Sequence, residues 1–334
     1  MDTLTQALLG GAVGYLVAGK QAPRKALLAG AAVAVLPDMD VFISYANDLD
    51  KMTLHRSWTH SWLVHTLLAP LLALLIHRFD KQISWPRWTL LIWLVLVTHA
   101  GLDALTVYGT QLFWPFRPHP ASGGSIFIID PLYSLLLLGG FVAVLLKPTV
   151  KSHRLMLVTF LLSCLYLLWG FAAQQFIAAK TRATLAEQNI AYQHFQVSAA
   201  PLNTLLWRII VVADDAYYQG FRSVFDGDAP LQLVRYDNGK ASREIIAKSP
   251  ALAQVDWFTR GLFKIDQTDE LIILTDLRMG MEPYYFFRFR VAAFEDDQWR
   301  LIEPKQIPMF RNSLNGLRWV WQRIWHPQAE MTDL

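Results

Sequence analysis

Seven histidine and aspartate residues, all of types that commonly bind metals, stand at the ends of apolar segments in the first half of the chain. Burying an ionisable group at such a place costs several kcal/mol unless a partner, an ion or water compensates it. We therefore expect these residues to form a functional site. They are Asp38, Asp40, His55, His60, His99, Asp103 and Asp130.

The spacing of these residues favours metal binding. His99 and Asp103 are four positions apart, so on a helix they project from one face with Cβ atoms roughly 5–6 Å apart. Pro37 breaks a helix immediately before Asp38 and Asp40, and irregular backbone at membrane depth is tolerated where it lines a cavity. The predicted ligands are Asp38, Asp40, His60, His99 and Asp103.

Mixed histidine and aspartate ligation suits zinc, and also manganese or iron. Cys164 is the only cysteine, which argues against a thiolate zinc site. The ligand count leaves one or two ions open, and a two-ion arrangement is common in phosphoester hydrolysis.

Four further side chains are catalytic candidates. Arg56 could bind a phosphate oxygen bidentately, although a basic residue at a membrane interface needs no such role. His55 is either a metal ligand or a proton carrier. Thr59 is a plausible N-cap of the following helix. Asp130 is expected to line another side of the site. Ser61 lies beside histidine, but no Gly-x-Ser-x-Gly elbow surrounds it, so a serine hydrolase is not expected.

Six apolar segments must position this site, and each approaches the ~20 residues needed to cross a bilayer. We predict an α-helical polytopic membrane domain of about six transmembrane helices over residues 1–178. Gly10 and Gly14 predict close packing of the first helix. The segments are 3–19, 26–44, 60–77, 89–107, 126–146 and 155–177.

Lysine and arginine are concentrated in the connections 20–25, 78–88 and 147–154 rather than in 45–59 and 108–125. Because short cytoplasmic loops carry the basic excess, the N-terminus, the site and the C-terminal domain are expected on the extracytoplasmic side. This describes a multi-pass protein of a bacterial inner (plasma) membrane.

Residues 179–334 have the composition of a soluble α+β, β-rich domain. Alternating runs at 271–278 and 284–291 predict strands, with turns at 237–239 and 295–297. Near the end, apolar residues from Leu314 to Trp325 recur at helical spacing, with Arg318 and Arg323 off the stripe. This amphipathic helix either lies on the membrane surface or closes the β domain.

The net charge of +3 is small and dispersed, so no nucleic-acid partner is expected. The expected partners are the lipid bilayer and a lipid or phosphoester substrate. The oligomeric state is left open.

Four motifs, in their order and spacing, resemble those of the YdjM/YbcI family of inner-membrane proteins, to which a metal-dependent hydrolase activity is attributed. The resemblance covers roughly residues 1–180 and implies a membrane-embedded metal site. Ser57 stands where family members more often have glycine after His-Arg. A glycine would serve a tight turn there, so the departure affects the loop geometry and removes no ligand. The motifs span 36–40, 55–61, 98–111 and 127–132.

Two functions are weighed. The first is a membrane-bound hydrolase in which metal-activated water attacks a phosphoester or lipid-like substrate at the outer interface. The second is a non-enzymatic membrane protein that handles ions or protons, or binds a partner, with a structural metal site. The gathering of polar residues at one end of the segments counts against a transport path.

Overall fold

The computed structural model describes residues 1–309 and 313–329, and the chain divides into two compact units. The first unit comprises Met1–Ile43 and His55–Gly170, and the second comprises Ser44–Leu54 and Phe171–Leu334. The predicted domain boundary after residue 178 stays a prediction.

The first unit is helical, as the apolar segments predicted. Among the described residues, five α-helices lie within the first unit and three within the second, and α7 runs through the division between them. The helices are α1 (Thr3–Ala18), α2 (Pro23–Val35), α3 (Asp48–Leu54), α4 (Trp62–Phe79), α5 (Trp85–Ala104), α6 (Pro131–Leu146), α7 (Val150–Glu187), α8 (Pro250–Thr259) and α9 (Ser313–Trp325).

Close contact between α1 and α2 confirms the packing expected from the glycines. A Cβ added at Gly10 would lie 2.3 Å from the Ala34 Cβ, and one at Gly30 would lie 2.2 Å from the Gly10 carbonyl oxygen. Only glycine allows the two backbones to approach so closely. The contact holds the first turns of α1 beside the C-terminal end of α2.

The expectation of about six membrane-spanning helices is met only in part. Among the described residues, α4 and α7 are long and apolar enough to cross a membrane, while α1 and α6 are apolar but shorter. The helix α2 ends at Val35 because Pro37 starts a 3-10 helix, Pro37–Phe42. Polar residues such as His99 and Asp103 reduce the apolarity of α5.

The second unit is rich in antiparallel β-structure, as predicted. Its two four-stranded sheets have the orders β1-β2-β3-β4 and β10-β9-β6-β5, and β7 pairs with β8. The strands are β1 (His194–Ala199), β2 (Leu206–Val212), β3 (Ala216–Ser223), β4 (Leu233–Asp237), β5 (Phe263–Gln267), β6 (Leu271–Asp276), β7 (Gly280–Met281), β8 (Tyr284–Tyr285), β9 (Arg288–Glu295) and β10 (Gln298–Gln306).

One of the two predicted turns is a hairpin. Asp296 and Asp297 join β9 to β10 with φ of 51° and 61°, as a type I′ turn requires. At the other predicted turn, 237–239, the chain does not form a hairpin, because β4 leads into the 3-10 helix Lys240–Ser242. A Cβ at Gly239 would lie 1.8 Å from the Ile265 carbonyl oxygen, so the close approach of β5 explains this glycine.

The helix α9 packs against the first sheet through Trp319, Val320 and Ile324, which are buried. Arg323, expected off the apolar stripe, is instead buried and bonded to Asp226. The predicted stripe is therefore wrong in detail: its members Leu317, Trp321 and Trp325 are exposed. The side chain of Leu314 lies outside the described residues.

The short helix α3 belongs to the second unit although it lies between two site motifs in the sequence. Gln254 of α8 donates from Nε2 to Asp50 Oδ1 at 2.8 Å and to Thr53 Oγ1 at 2.6 Å. The Gln306 backbone N–H donates to Asp48 Oδ2 at 2.9 Å. Three polar contacts, together with the buried side chains of Leu49 and Met52, thus fix this segment in the second unit.

Candidate metal centre

Four of the five predicted metal ligands meet in one cluster. They offer one ligand atom each, and these atoms all lie within 4.8 Å of one another. The four residues come from three separate stretches of the first unit, so the convergence depends on the tertiary fold. They are Asp38, His60, His99 and Asp103.

Five of the separations between the ligand atoms are close to the edge lengths of a metal coordination tetrahedron, and all of them lie within 4.8 Å. His60 Nε2 lies 3.1 Å from His99 Nε2, 3.2 Å from Asp103 Oδ2 and 3.4 Å from Asp38 Oδ1. His99 Nε2 lies 3.6 Å from both carboxylate oxygens. Zinc bonds of about 2.0–2.2 Å in a tetrahedron place neighbouring ligand atoms about 3.3–3.6 Å apart.

Local structure explains how each ligand is presented. Asp38 lies on the 3-10 helix that follows α2, and His60 ends a second 3-10 helix, Trp58–His60. His99 and Asp103 lie one turn apart on the last part of α5.

The cluster contains buried polar atoms without hydrogen-bond partners among the described residues. His99 Nδ1 and Asp103 Oδ2 are two of these. The side chains of His60, His99 and Asp103 are fully buried, whereas that of Asp38 is 16% exposed. Because an uncompensated buried polar group is costly, Asp103 Oδ2 indicates a ligand at the cluster, whereas His99 faces the cluster through Nε2 and not through Nδ1. Solvent reaches the cluster from the side of Asp38.

Asp40, the fifth predicted ligand, lies beside the cluster and holds the neighbouring loop. It accepts hydrogen bonds from the Arg56 backbone N–H at 2.9 Å and from Thr59 Oγ1 at 2.7 Å. Its Oδ1 lies 2.7 Å from His55 Nδ1. Thr59 Oγ1 also lies 3.0 Å from His60 Nδ1, so Asp40 orients the ligand His60 through Thr59.

Arg56 is buried next to Asp103 and in contact with Tyr108. Its Nε lies 3.2 Å from Asp103 Oδ2, and its guanidinium carbon lies 5.0 Å from the Tyr108 ring centroid. Nε and Nη1 nevertheless have no hydrogen-bond partner among the described residues. A guanidinium with buried, unbonded N–H groups is suited to bind an anion.

The loop that carries Arg56 has an unusual backbone conformation. Arg56 has φ of +60°, whereas Ser57 has φ of −90°. The Arg56 N–H bonded to Asp40, and its carbonyl oxygen accepting from the Gln111 N–H at 3.0 Å, hold this conformation. The serine at position 57 thus needs no left-handed backbone, and the strain is located at the proposed anion contact.

Two predicted roles differ in the structure. Ser61, not Thr59, caps α4, because its side chain accepts from the Val64 N–H. Asp130 caps α6 by accepting from the Tyr133 N–H at 3.1 Å and also accepts from Tyr166 Oη at 2.8 Å. These bonds occupy the Asp130 carboxylate with partners outside the metal cluster.

Two groups of the site were missed by the sequence reasoning. Gln6 on α1 is fully buried, and its Nε2 donates to Asp103 Oδ1 at 3.0 Å and to the His99 carbonyl oxygen at 3.3 Å. The Met1 amino group also contacts Asp103 Oδ1. The available signal in the sequence is a lone glutamine within an otherwise apolar helix.

The donor set fits a divalent metal ion. Two carboxylates and two imidazoles in a buried site would balance the charge of Zn²⁺, Mn²⁺ or Fe²⁺, and all are established ligand types for these ions. Asp40 pairs with His55 and is not part of the cluster. The remaining four residues form the one such cluster among the described residues, and four ligands are sufficient for one ion.

A comparison with known proteins identifies the family. The family model described as YdjM inner membrane protein matches residues 1–177. The chain belongs to the YdjM family. Every member of the metal cluster lies within the matched region of this YdjM-family chain.

Two curated relatives are similar to this chain. Inner membrane protein YbcI of Escherichia coli (strain K12) is 32% identical over 116 residues, which are 33% of this chain and 64% of YbcI. The uncharacterized protein YfhP of Bacillus subtilis (strain 168) is 24% identical over 231 residues, covering 66% of this chain and 68% of YfhP. The chain thus spans just under two thirds of YbcI. No solved structure matches.

Proposed function

We propose that this YdjM-family protein is a metal-dependent hydrolase of the inner membrane that cleaves a phosphoester in a lipid or lipid-like substrate. The observation that carries the proposal is the convergence of four ligand atoms within 4.8 Å of one another beside Arg56, whose Nε and Nη1 make no hydrogen bond among the described residues. A cation site and an anion contact side by side suit a reaction at a phosphate group.

Asp38, His60, His99 and Asp103 would hold one ion. A bound zinc or manganese ion would act as a Lewis acid and lower the pKa of water at the site to about 7. Arg56 would bind a non-bridging phosphate oxygen through Nε and Nη1. Its neighbour Asp103 keeps the guanidinium in place before substrate binds.

His55 would move the proton. Its Nδ1 faces Asp40, so its Nε2 is left to exchange a proton with water or with the leaving-group oxygen. His55 is 22% exposed, whereas Asp40 is nearly fully buried. This arrangement suits a proton carrier that is oriented by a carboxylate and open to the substrate side.

The membrane arrangement supports a lipid substrate. We propose about six crossings, made by α4 and α7 together with α1, α2, α5 and α6. The basic connections 20–25, 78–88 and 147–154 would lie in the cytoplasm, which places Asp38 and the C-terminal domain on the extracytoplasmic side. A site near that interface is within reach of a lipid headgroup.

The test is phosphate release by purified full-length protein in lipid nanodiscs, with a short-chain phosphatidic acid and a soluble aryl phosphate as substrates. Chelation should abolish turnover, and zinc or manganese should restore it. Asp103→Asn should be inactive, while Asp130→Asn should remain active because asparagine keeps the helix cap.

Two outcomes would refute the hydrolase. One is full turnover by metal-free protein or by Asp103→Asn. The other is a metal that raises thermal stability while neither substrate is hydrolysed, since that result assigns the ion a structural role.

A further inference from the structure

An exposed aromatic cluster stands at one corner of the second unit. Phe225, Trp321 and Trp325 are 55%, 64% and 47% exposed. The rings of Phe225 and Trp325 are stacked with centroids 5.1 Å apart, and Trp321 meets Trp325 edge-on at 5.8 Å. Large aromatic side chains that touch one another in solvent indicate an interaction surface.

The scaffold beneath this cluster is rigid. Arg323 of α9 donates to both oxygens of Asp226 at 2.9 and 2.8 Å, in a buried ion pair. Ser223 Oγ donates to the Ile324 carbonyl oxygen at 2.8 Å. The loop that carries Phe225 is therefore fastened to α9, and the stacked rings are presented outward.

The contact between α7 and the loop that carries Phe225 indicates that the partner is the membrane. No charged residue lies between Arg154 and Lys180, and at 1.5 Å per residue this stretch is long enough to cross the ~30 Å hydrocarbon core. Lys180 therefore marks the level at which α7 leaves the bilayer. Lys180 Nζ lies 3.8 Å from Asp228 Oδ1, three residues beyond Phe225.

We propose that Phe225, Trp321 and Trp325 form a lipid-contact surface that rests on the membrane interface from which α7 emerges. Tryptophan favours this interface because its ring is apolar and its N–H is polar. Arg318 is exposed on the same helix and suits the lipid phosphates. The proposal depends on α7 crossing the membrane and is independent of hydrolase activity.

A second exposed aromatic pair in the same unit serves as a matched control. Phe294 is 43% exposed and its ring lies 5.3 Å from that of Trp299. It is followed by the acidic residues 295–297, which anionic lipids repel. Aromatic exposure is thus similar at the two places, while the neighbouring charge differs and the first place is linked to α7 through the Asp228–Lys180 ion pair.

The experiment uses the full chain in proteoliposomes. Cys164 is replaced by serine, and an environment-sensitive fluorophore is attached at Trp321→Cys, Phe225→Cys or Phe294→Cys in separate variants. Quenching is measured with lipids that carry a quencher near the headgroup, and separately with aqueous iodide. Thermal unfolding of each variant verifies that it is folded.

We expect a several-fold larger loss of emission to the lipid quencher at positions 321 and 225 than at 294, with a blue-shifted spectrum, and the reverse order for iodide. Equal lipid quenching at all three positions would overturn the proposal. So would a label at 321 that is protected from iodide but not quenched by lipid, because that result identifies a second copy of the chain or another protein as the partner.

Discussion

Arg56 in the first unit and Arg208 in the second are buried to nearly the same extent, at 6% and 5% exposure, but their N–H groups are used differently. Arg208 donates to Gln219 Oε1 from Nε and Nη2, at 3.2 and 2.7 Å. Its Nη1 donates to the Leu277 carbonyl oxygen at 2.6 Å. Arg56 has two nitrogens without a hydrogen bond among the described residues.

The difference separates a structural arginine from one that is available to a ligand. Burial lowers the pKa of Arg208 from its ordinary value, and nearby Tyr285 opposes that effect. Its hydrogen bonds compensate the desolvation and join the β2–β3 sheet to the segment after β6. Arg56 contacts the Asp103 carboxylate and the Tyr108 ring, and its Nε and Nη1 make no hydrogen bond among the described residues, so an additional anion would gain charge-assisted bonds.

Replacing Arg56 by methionine sharpens this comparison most. We expect kcat/KM for phosphoester hydrolysis to fall about 10²–10³-fold, because one preorganised donor to the reacting group is lost. The thermal midpoint should change less than in Arg208→Met. An Arg56→Met protein that unfolds as readily as Arg208→Met and keeps its specific activity would show that Arg56 is structural.

Replacing Arg208 by methionine should destabilise the protein by about 3 kcal/mol, because the Gln219 and Leu277 oxygens lose charged donors in a buried site. Denaturant unfolding monitored in the second unit measures the loss. Arg235→Met is the control, since its pair with Asp215 is exposed. Equal stability of the two variants would contradict the structural role assigned to Arg208.

Asp40→Asn tests the residues next to the metal cluster. It weakens the bonds to His55 and Thr59 without touching the four ligands, so we expect a loss of about 10–100-fold in metal affinity. Competition with a fluorescent chelator measures the affinity. A loss of all bound metal would instead place Asp40 among the ligands.

The smallest effect is expected at Lys264, a half-buried cation of the second unit. Burial would lower the pKa of Lys264, but hydrogen bonds to Glu282 and Asp266 outweigh it and raise the pKa above its ordinary value. The resulting stabilisation is present below the ordinary pKa of about 10.5 and is lost as the pH rises through the folded value. Thermal midpoints of wild type and Lys264→Met should therefore converge at alkaline pH. A constant difference would contradict this.

The sequence located the residues of the Asp/His cluster better than it predicted the number of membrane-spanning helices. His99 and Asp103 have helical spacing, and Pro37 fixes a break beside Asp38, so local rules locate them. The contributions of Gln6 and of the partners of Asp130 depend on contacts across 97 and 36 positions, which no local pattern encodes. The amphipathic stripe of α9 failed in detail because the Arg323–Asp226 ion pair turned a charged residue inward.

Predicted strands were correct where alternation was strong, as at Leu271–Asp276. Asn238-Gly239 does not form a hairpin turn, because the glycine there allows the close approach of the neighbouring strand β5. The assignment of α3 to the second unit was also beyond local reasoning, since its polar partners Gln254 and Gln306 are more than 200 positions away.

The central claim is that Asp38, His60, His99 and Asp103 hold one metal ion together. Elemental analysis of purified wild type should give about one equivalent of zinc, manganese or iron per chain. Asp38→Ala, His60→Ala and Asp103→Ala should each lose it, while Asp130→Asn retains it. Full metal content in any of the three alanine variants, or its loss in Asp130→Asn alone, would contradict a single site formed by these four residues.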